Sequence, residues 1–145
     1  MITALVEARP NTIGVLLRGC GSATPNVSIS NDALGRRVDT SDAWIRSRTG
    51  IAARRVIDSG ESIAELSALA AERALEMAGW SAESLDLILL ATSTPDDLFG
   101  SAPRLQARLN ACNAAAFDLT AACSGFLFGV VTAAQYLRCG TMQRI

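Results

Sequence analysis

The stretch from Asp86 to Ser93 reads DLILLATS and constrains the fold of this chain more than any other segment. A strand with one face in water alternates apolar and polar residues, whereas an unbroken apolar run of strand length belongs to a strand covered on both faces. Ala114 to Leu119 reads as a further buried strand. Before, between and after them the spacing turns helical. From Ser62 to Ala78, the residues Ile63, Leu66, Ala70, Ala74 and Met77 recur at steps of three and four, and Gly79 supplies a stop. Ser62 and Glu65 have capping-box spacing, with each side chain set to satisfy the other's free backbone N–H. Another helix begins near Ser101 with Pro103 in its first turn, and a third runs from Ser124 to Arg138 before Gly140. Strands alternating with helices predict an α/β fold, with parallel strands and helices on both faces.

The first sixty residues are shorter-grained. Residues up to Asn11 read as a frayed start, Ile13 to Cys20 (IGVLLRGC) as a strand, and Gly21 to Pro25 as a loop. Ser30 or Asn31 caps a short helix through Arg37. Thr40 or Ser41 caps the next, with Asp42 in its first turn and Gly50 just after it. Ile51 to Ile57 fits an edge or half-buried strand closed by Asp58-Ser59-Gly60. No repeat or linker divides the chain. The final stretch, Thr141 to Ile145, falls where an α/β alternation calls for its next strand, so a longer fold is expected.

Composition then removes whole classes of function. Of 145 residues, 50% are hydrophobic and 19% charged, enough for a packed core. Thirteen basic residues, all arginine, meet 14 acidic ones, and no basic run exceeds the pairs Arg36-Arg37 and Arg54-Arg55. That balance gives no footprint for nucleic acid or an anionic membrane. The most apolar stretch, Leu85 to Ala91, is far shorter than the roughly 20 residues that span a bilayer. Met1 to Arg9 contains Glu7 and lacks the pattern of a secretory leader. Cys20, Cys112, Cys123 and Cys139 form no CxxC pair, which fits a reduced, cytoplasmic protein without a zinc site. The chain has no histidine. It therefore completes no Ser-His-Asp triad, Cys-His pair or imidazole metal site from its own residues.

Chemistry concentrates at Ala116 to Phe126, AFDLTAACSGF. A strand runs into small residues, and Cys123 follows at the start of an apolar helix. Free N–H groups and the positive end of the helix dipole favour a thiolate there, the nucleophilic form, with Gly125 and the alanines leaving room for a substrate. The spacing alone leaves a second reading open, a small apolar residue filling a helix start. Activation of the thiol also admits a redox sensor, although no resolving cysteine stands at a suitable spacing.

AFDLTAACSGF resembles the nucleophile segment of the β-ketoacyl-[acyl-carrier-protein] synthase III family, in the thiolase-like superfamily. Val38 to Ile45 (VDTSDAWI) followed by Arg48-Thr49-Gly50-Ile51 resembles that family's amino-terminal signature, and Leu89 to Pro95 (LLATSTP) and Phe99 fall in matching order. The likeness covers roughly residues 13 to 142.

The resemblance implies a thiolase-like α/β/α half-fold over residues 1–145, the first half of a five-layer αβαβα sandwich. It implies an acyltransferase that initiates fatty acid synthesis, joining an acyl-CoA, with acetyl-CoA as the expected primer, to malonyl-acyl-carrier protein and releasing CO2 and CoA. Cys123 matches the cysteine that carries the acyl group as a thioester. Trp44 matches the tryptophan that stacks on the CoA adenine, Arg48 the arginine near the CoA phosphates, and Thr40 a hydroxyl close to the adenine. Phe99 matches a loop residue reaching the acyl pocket of the partner subunit in a homodimer. No cofactor or metal is implied. Cys20, Cys112 and Cys139 match no catalytic position and read as packing residues. The family's catalytic histidine and asparagine belong to a second half of the fold, which the absence of histidine here parallels. The opposing expectation is a non-catalytic half that dimerises or docks a second half.

Overall fold

The computed structural model describes residues 14–145. Its centre is the pair predicted to be most deeply covered. β3 (Leu87–Ala91) lies parallel to β4 (Ala115–Leu119), in register from Leu87 opposite Ala115 to Ala91 opposite Leu119. Parallel neighbours need a crossover, and α4 (Ala102–Leu109) provides it. α4 packs on α3 (Ile63–Ala78), and the core forms where these helices meet the strands. Ala68, Leu85, Ile88, Leu105, Leu109, Ala111 and Ala114 are buried together there. A second sheet pairs β1 (Val27–Ser30) antiparallel with β2 (Ala53–Val56). The short helices α1 (Asn31–Gly35) and α2 (Asp42–Thr49) lie between its strands in sequence. α5 (Gly125–Arg138) packs against β3. Beyond α5 the chain returns beside β3, where the Asp86 carboxylate accepts the Gln143 and Arg144 amides at 2.7 and 2.9 Å.

Helix ends follow local chemistry. The Ser41 Oγ accepts the Trp44 amide at 3.2 Å, and Gly50 closes α2 at φ 71°. The Ser62 Oγ accepts the Glu65 amide at 3.1 Å. Only this half of the expected capping box forms, because the Glu65 carboxylate turns to Arg108 of α4 at 3.1 Å. The first amides of α3 go instead to Asp96, Ile63 at 2.9 Å and Ala64 at 3.0 Å.

Four further expectations need correction. Residues 14–20 form no strand, and Ile13 lies outside the described residues. The segment has no ladder partner and lies against α3, where a side-chain carbon on Gly19 or Gly21 would collide with the carbonyl oxygens of Ala74 and Ala70. The most deeply buried residues of α3 are Ala64 and Ala68, with Ala71 and Leu75 half-buried beside them in the core, whereas Ile63, Leu66, Ala70 and Ala74 of the expected stripe are half-buried and Met77 is exposed. Small residues at the buried positions let α4 approach closely. β4 is covered on one face only, since Ala115 and Phe117 are exposed. Finally, the cysteines read as packing residues, Cys20, Cys112 and Cys139, are exposed, as is Cys123, and all four are free thiols.

Candidate active site

Cys123 sits where β4 gives way to α5. The strand ends at Leu119, and the Ser124 amide bonds back to Ala121 at 3.0 Å, closing a tight turn over Ala122–Ser124. Ala122 takes φ 46°, a left-handed conformation that non-glycine residues adopt at a cost. This one strained residue reverses the chain and leaves the neighbouring Cys123 exposed. Gly125 then enters α5 buried against β3, where a Cβ would stand 3.3 Å from that of Ala91. The thiol is thus presented at the carboxyl end of two parallel strands, the edge of an α/β sheet where ligands bind. The helix behind it is apolar and open, with Phe126, Leu127, Phe128, Val130 and Val131 all exposed.

Trp44 and Arg48 are brought together, as their one-turn spacing on α2 allows. The Arg48 guanidinium lies 4.5 Å from the centroid of the Trp44 ring, and both side chains are exposed. Thr40 is half-buried just before the helix, and the capping oxygen comes from Ser41. α2 is held from below by a residue that the sequence marked only as a cap. Asn31 is fully buried, and its amide nitrogen donates to the Asp42 carboxylate at 2.8 Å and to the Ile51 carbonyl at 2.7 Å. Its oxygen accepts from Arg54 at 2.6 Å. Asp42 also accepts from Arg46, and these two neighbours, Asn31 first, hold its carboxyl below the usual aspartate range.

Phe99 is 91% exposed and Leu98 wholly so, at the tip of the loop between β3 and α4. The loop is anchored by contacts that no sequence spacing announces. The Asp118 carboxylate accepts the amides of Ser101 at 2.9 Å and Ala102 at 2.6 Å, while the Ser101 hydroxyl accepts the Asp96 amide at 2.7 Å. The three features therefore sit on separate elements: the thiol after β4, the ring and guanidinium on α2, the exposed phenylalanine on the loop. Among the described residues, no group of three or more His, Cys, Asp or Glu side chains is placed to hold a metal ion. No helix among them is long and apolar enough to cross a membrane.

Known proteins resemble this chain in sequence and in fold. The 3-oxoacyl-[acyl-carrier-protein (ACP)] synthase III family pattern matches residues 117–145, which include the Cys123 turn. The β-ketoacyl-[acyl-carrier-protein] synthase III of Prochlorococcus marinus strain MIT 9313 is 70% identical over 139 residues, covering 94% of this chain and 41% of that protein. The crystal structure of 3-oxoacyl-[acyl-carrier-protein] synthase III from Aquifex aeolicus VF5 superposes with a TM-score of 0.82 at 42% identity, over 86% of this chain and 41% of that one. The priming β-ketosynthase of the R1128 polyketide pathway superposes at 0.84 with 33% identity, over 94% and 41% of the two chains. The chain spans about two fifths of the length of the curated relatives it matches. In sequence and in its thiolase-like fold, over the portion of its relatives that it spans, the chain is similar to the β-ketoacyl-[acyl-carrier-protein] synthases III.

Proposed function

We propose that this chain is the acyl-accepting part of a condensing enzyme that initiates fatty acid synthesis in the cytoplasm. The observation that carries the reading is the exposed thiol of Cys123, held on a strained turn at the carboxyl end of β4. The thiolate attacks the thioester carbonyl of an acyl-CoA. The carbon–sulfur bond to CoA breaks, CoA leaves, and the acyl group stays on the cysteine. Malonyl-acyl-carrier protein then loses CO2, and the carbanion so formed attacks the acyl carbon and returns the cysteine as thiolate. The chain contains no imidazole, so any histidine that steadies that carbanion comes from outside these 145 residues.

On this reading residues 1–145 make up the amino-terminal thiolase-like domain. Trp44 stacks on the CoA adenine, a task suited to an exposed flat ring already faced by a guanidinium. Arg48 meets the CoA phosphates and Thr40 lies near the adenine. Phe99, held out on its loop, enters the acyl pocket of the partner subunit in a homodimer. The reaction draws on CoA thioesters as substrates and needs no resident cofactor.

Incubation with acetyl-CoA followed by intact mass and peptide mapping tests the central step. An acyl adduct on Cys123 that is absent from Cys123→Ala is expected. Acylation that persists in Cys123→Ala would remove the cysteine from its role.

The open apolar face of α5 favours one second reading, a non-catalytic module that docks another polypeptide there. Rapid formation of a β-ketoacyl product by these 145 residues alone would eliminate it.

A further inference from the structure

We propose that Asp118 is a positioning residue that fixes the Phe99 loop to the strand delivering Cys123, and that through this tie it sets selectivity for acyl-chain length. The inference rests on the reading of Cys123 as acyl acceptor and of Phe99 as a wall of the acyl pocket.

The loop from Thr94 to Ser101 is pinned near its start and at its end. Asp96 bonds through its carboxylate to the Ile63 and Ala64 amides of α3, and through its own amide to the Ser101 hydroxyl. At the far end the Ser101 and Ala102 amides close on Asp118, and Ser101 is fully buried. Gly100 lies between the exposed tip and this anchor, at φ 87°. A Cβ there would stand 2.9 Å from the Asp118 carboxyl carbon and 3.0 and 3.1 Å from its two oxygens. The loop passes so close to the carboxylate that only glycine fits. Within the tip, the Phe99 amide donates to Asp97 at 2.8 Å, and Arg104 pairs with Asp97 at 3.1 Å.

A carboxylate at a helix start is ordinary capping chemistry. Two features go beyond it here. The capping group comes from another element, and that element ends in the nucleophile's turn, five residues before Cys123. Leu98 and Phe99, which an unconstrained loop would fold inward against apolar neighbours, are instead held out in solvent. A side chain that must enter a pocket gains from being held in place beforehand, because the ordering cost is then met by folding. Asp118 fixes where that side chain stands on its own subunit, and in the homodimer this sets how far Phe99 reaches into the partner's acyl pocket and so the length of acyl chain that pocket admits.

The test uses the whole protein carrying Asp118→Asn, or separately Gly100→Ala, which pushes the loop off an intact carboxylate. Acylation of Cys123 is followed with acetyl-CoA and with octanoyl-CoA. In both variants the preference for acetyl over octanoyl should fall roughly tenfold, the scale on which one pocket wall discriminates. The change should appear in KM for octanoyl-CoA, while kcat with acetyl-CoA moves little, a split that general unfolding would not give. Unmoved selectivity in either folded variant overturns the proposal, and Gly100→Ala decides the matter if Asp118→Asn does not fold. Absence of Cys123 acylation in the unaltered protein, or selectivity indifferent to Phe99→Ala, would sink the underlying reading instead.

Discussion

Arg48 lies one helical turn beyond Trp44 on α2, with its guanidinium 4.5 Å from the centre of the indole ring. The contact is exposed, so it adds only about 0.5–1 kcal/mol to stability. Under the proposed function its consequence is for recognition, since it holds an open aromatic face and a bidentate cation side by side. Trp44→Ala should weaken CoA binding by about 1–3 kcal/mol, the usual value of one base stacked on an aromatic ring. Arg48→Ala should also weaken it, with an effect that shrinks as salt is raised. Calorimetric titration with CoA measures both, and an unchanged affinity in Trp44→Ala would remove α2 from the site.

The support beneath that helix is Asn31, whose amide gives both its hydrogens to oxygen acceptors and takes one bond from Arg54. Asn31→Ala empties a fully buried position and takes a hydrogen-bond partner from each of Asp42, Arg54 and the Ile51 carbonyl, which are themselves partly exposed. The expected loss is about 1–3 kcal/mol of stability. Asn31→Asp keeps the shape but loses both donors and sets a second carboxylate against Asp42. It should therefore destabilise at least as much as alanine does, even though it strengthens the contact to Arg54. Chemical denaturation of the two variants gives the comparison, and an aspartate variant as stable as the natural protein would contradict the assigned hydrogen bonds.

Acid should loosen the fold through three aspartates. Partial burial pushes the Asp96 carboxyl up, but hydrogen bonds from the Ile63 and Ala64 amides and the Ser101 hydroxyl, with the Arg104 charge, outweigh it and leave the group below its ordinary range. Asp42 is held low by Asn31 and then Arg46, and Asp86 by the Gln143 and Arg144 amides. A carboxyl with a lowered folded value stabilises the fold at pH above the unfolded value, near 4, and loses that contribution as pH falls through the lower folded one. Stability should therefore hold from neutral pH to about 5 and fall steeply below about 4. Asp96→Asn should be less stable at pH 7 yet show a shallower acid limb. Thermal unfolding across this range checks both, and parallel limbs would show that Asp96 is not one of the groups responsible.

The helix ends were the most legible part of the chain, because capping is chemistry between near neighbours. Ser62 before Glu65, Ser41 before Trp44, and Gly50 and Gly79 after their helices can be read without any fold. The buried side of α3 could not be read this way, since alanine and leucine occur on several faces and only the arrival of α4 chooses among them. β1 is four residues of mixed polarity, VSIS, and becomes a strand through pairing with β2. In the site, local pattern marked Cys123, which follows an apolar strand, whereas Trp44 and Arg48 were marked only by the family resemblance. Asp96 and Asp118 act on amides 32–33 and 16–17 residues away, and such bonds exist only once the chain has folded.

Ala122 offers the sharpest test of the turn that presents the thiol. At φ 46° an alanine carries about 1–2 kcal/mol of backbone strain that glycine would not. Ala122→Gly removes that strain but frees the unfolded chain by about 0.4–1 kcal/mol, so the net change in stability should be small or slightly favourable. An alanine-to-glycine change inside one of the α-helices should by contrast destabilise by about 0.5–1 kcal/mol. Ala122→Val carries the opposite expectation, because a branched side chain fits this conformation worst, and the turn should open or refold. Unfolding free energies and the rate of Cys123 alkylation by iodoacetamide, measured together, separate the cases. Glycine should leave stability nearly level and broaden the thiol's orientations, which slows acylation by acyl-CoA more than alkylation by a small reagent. A glycine variant destabilised like one in a helix would mean that Ala122 does not adopt the left-handed conformation and that the turn reverses in another way.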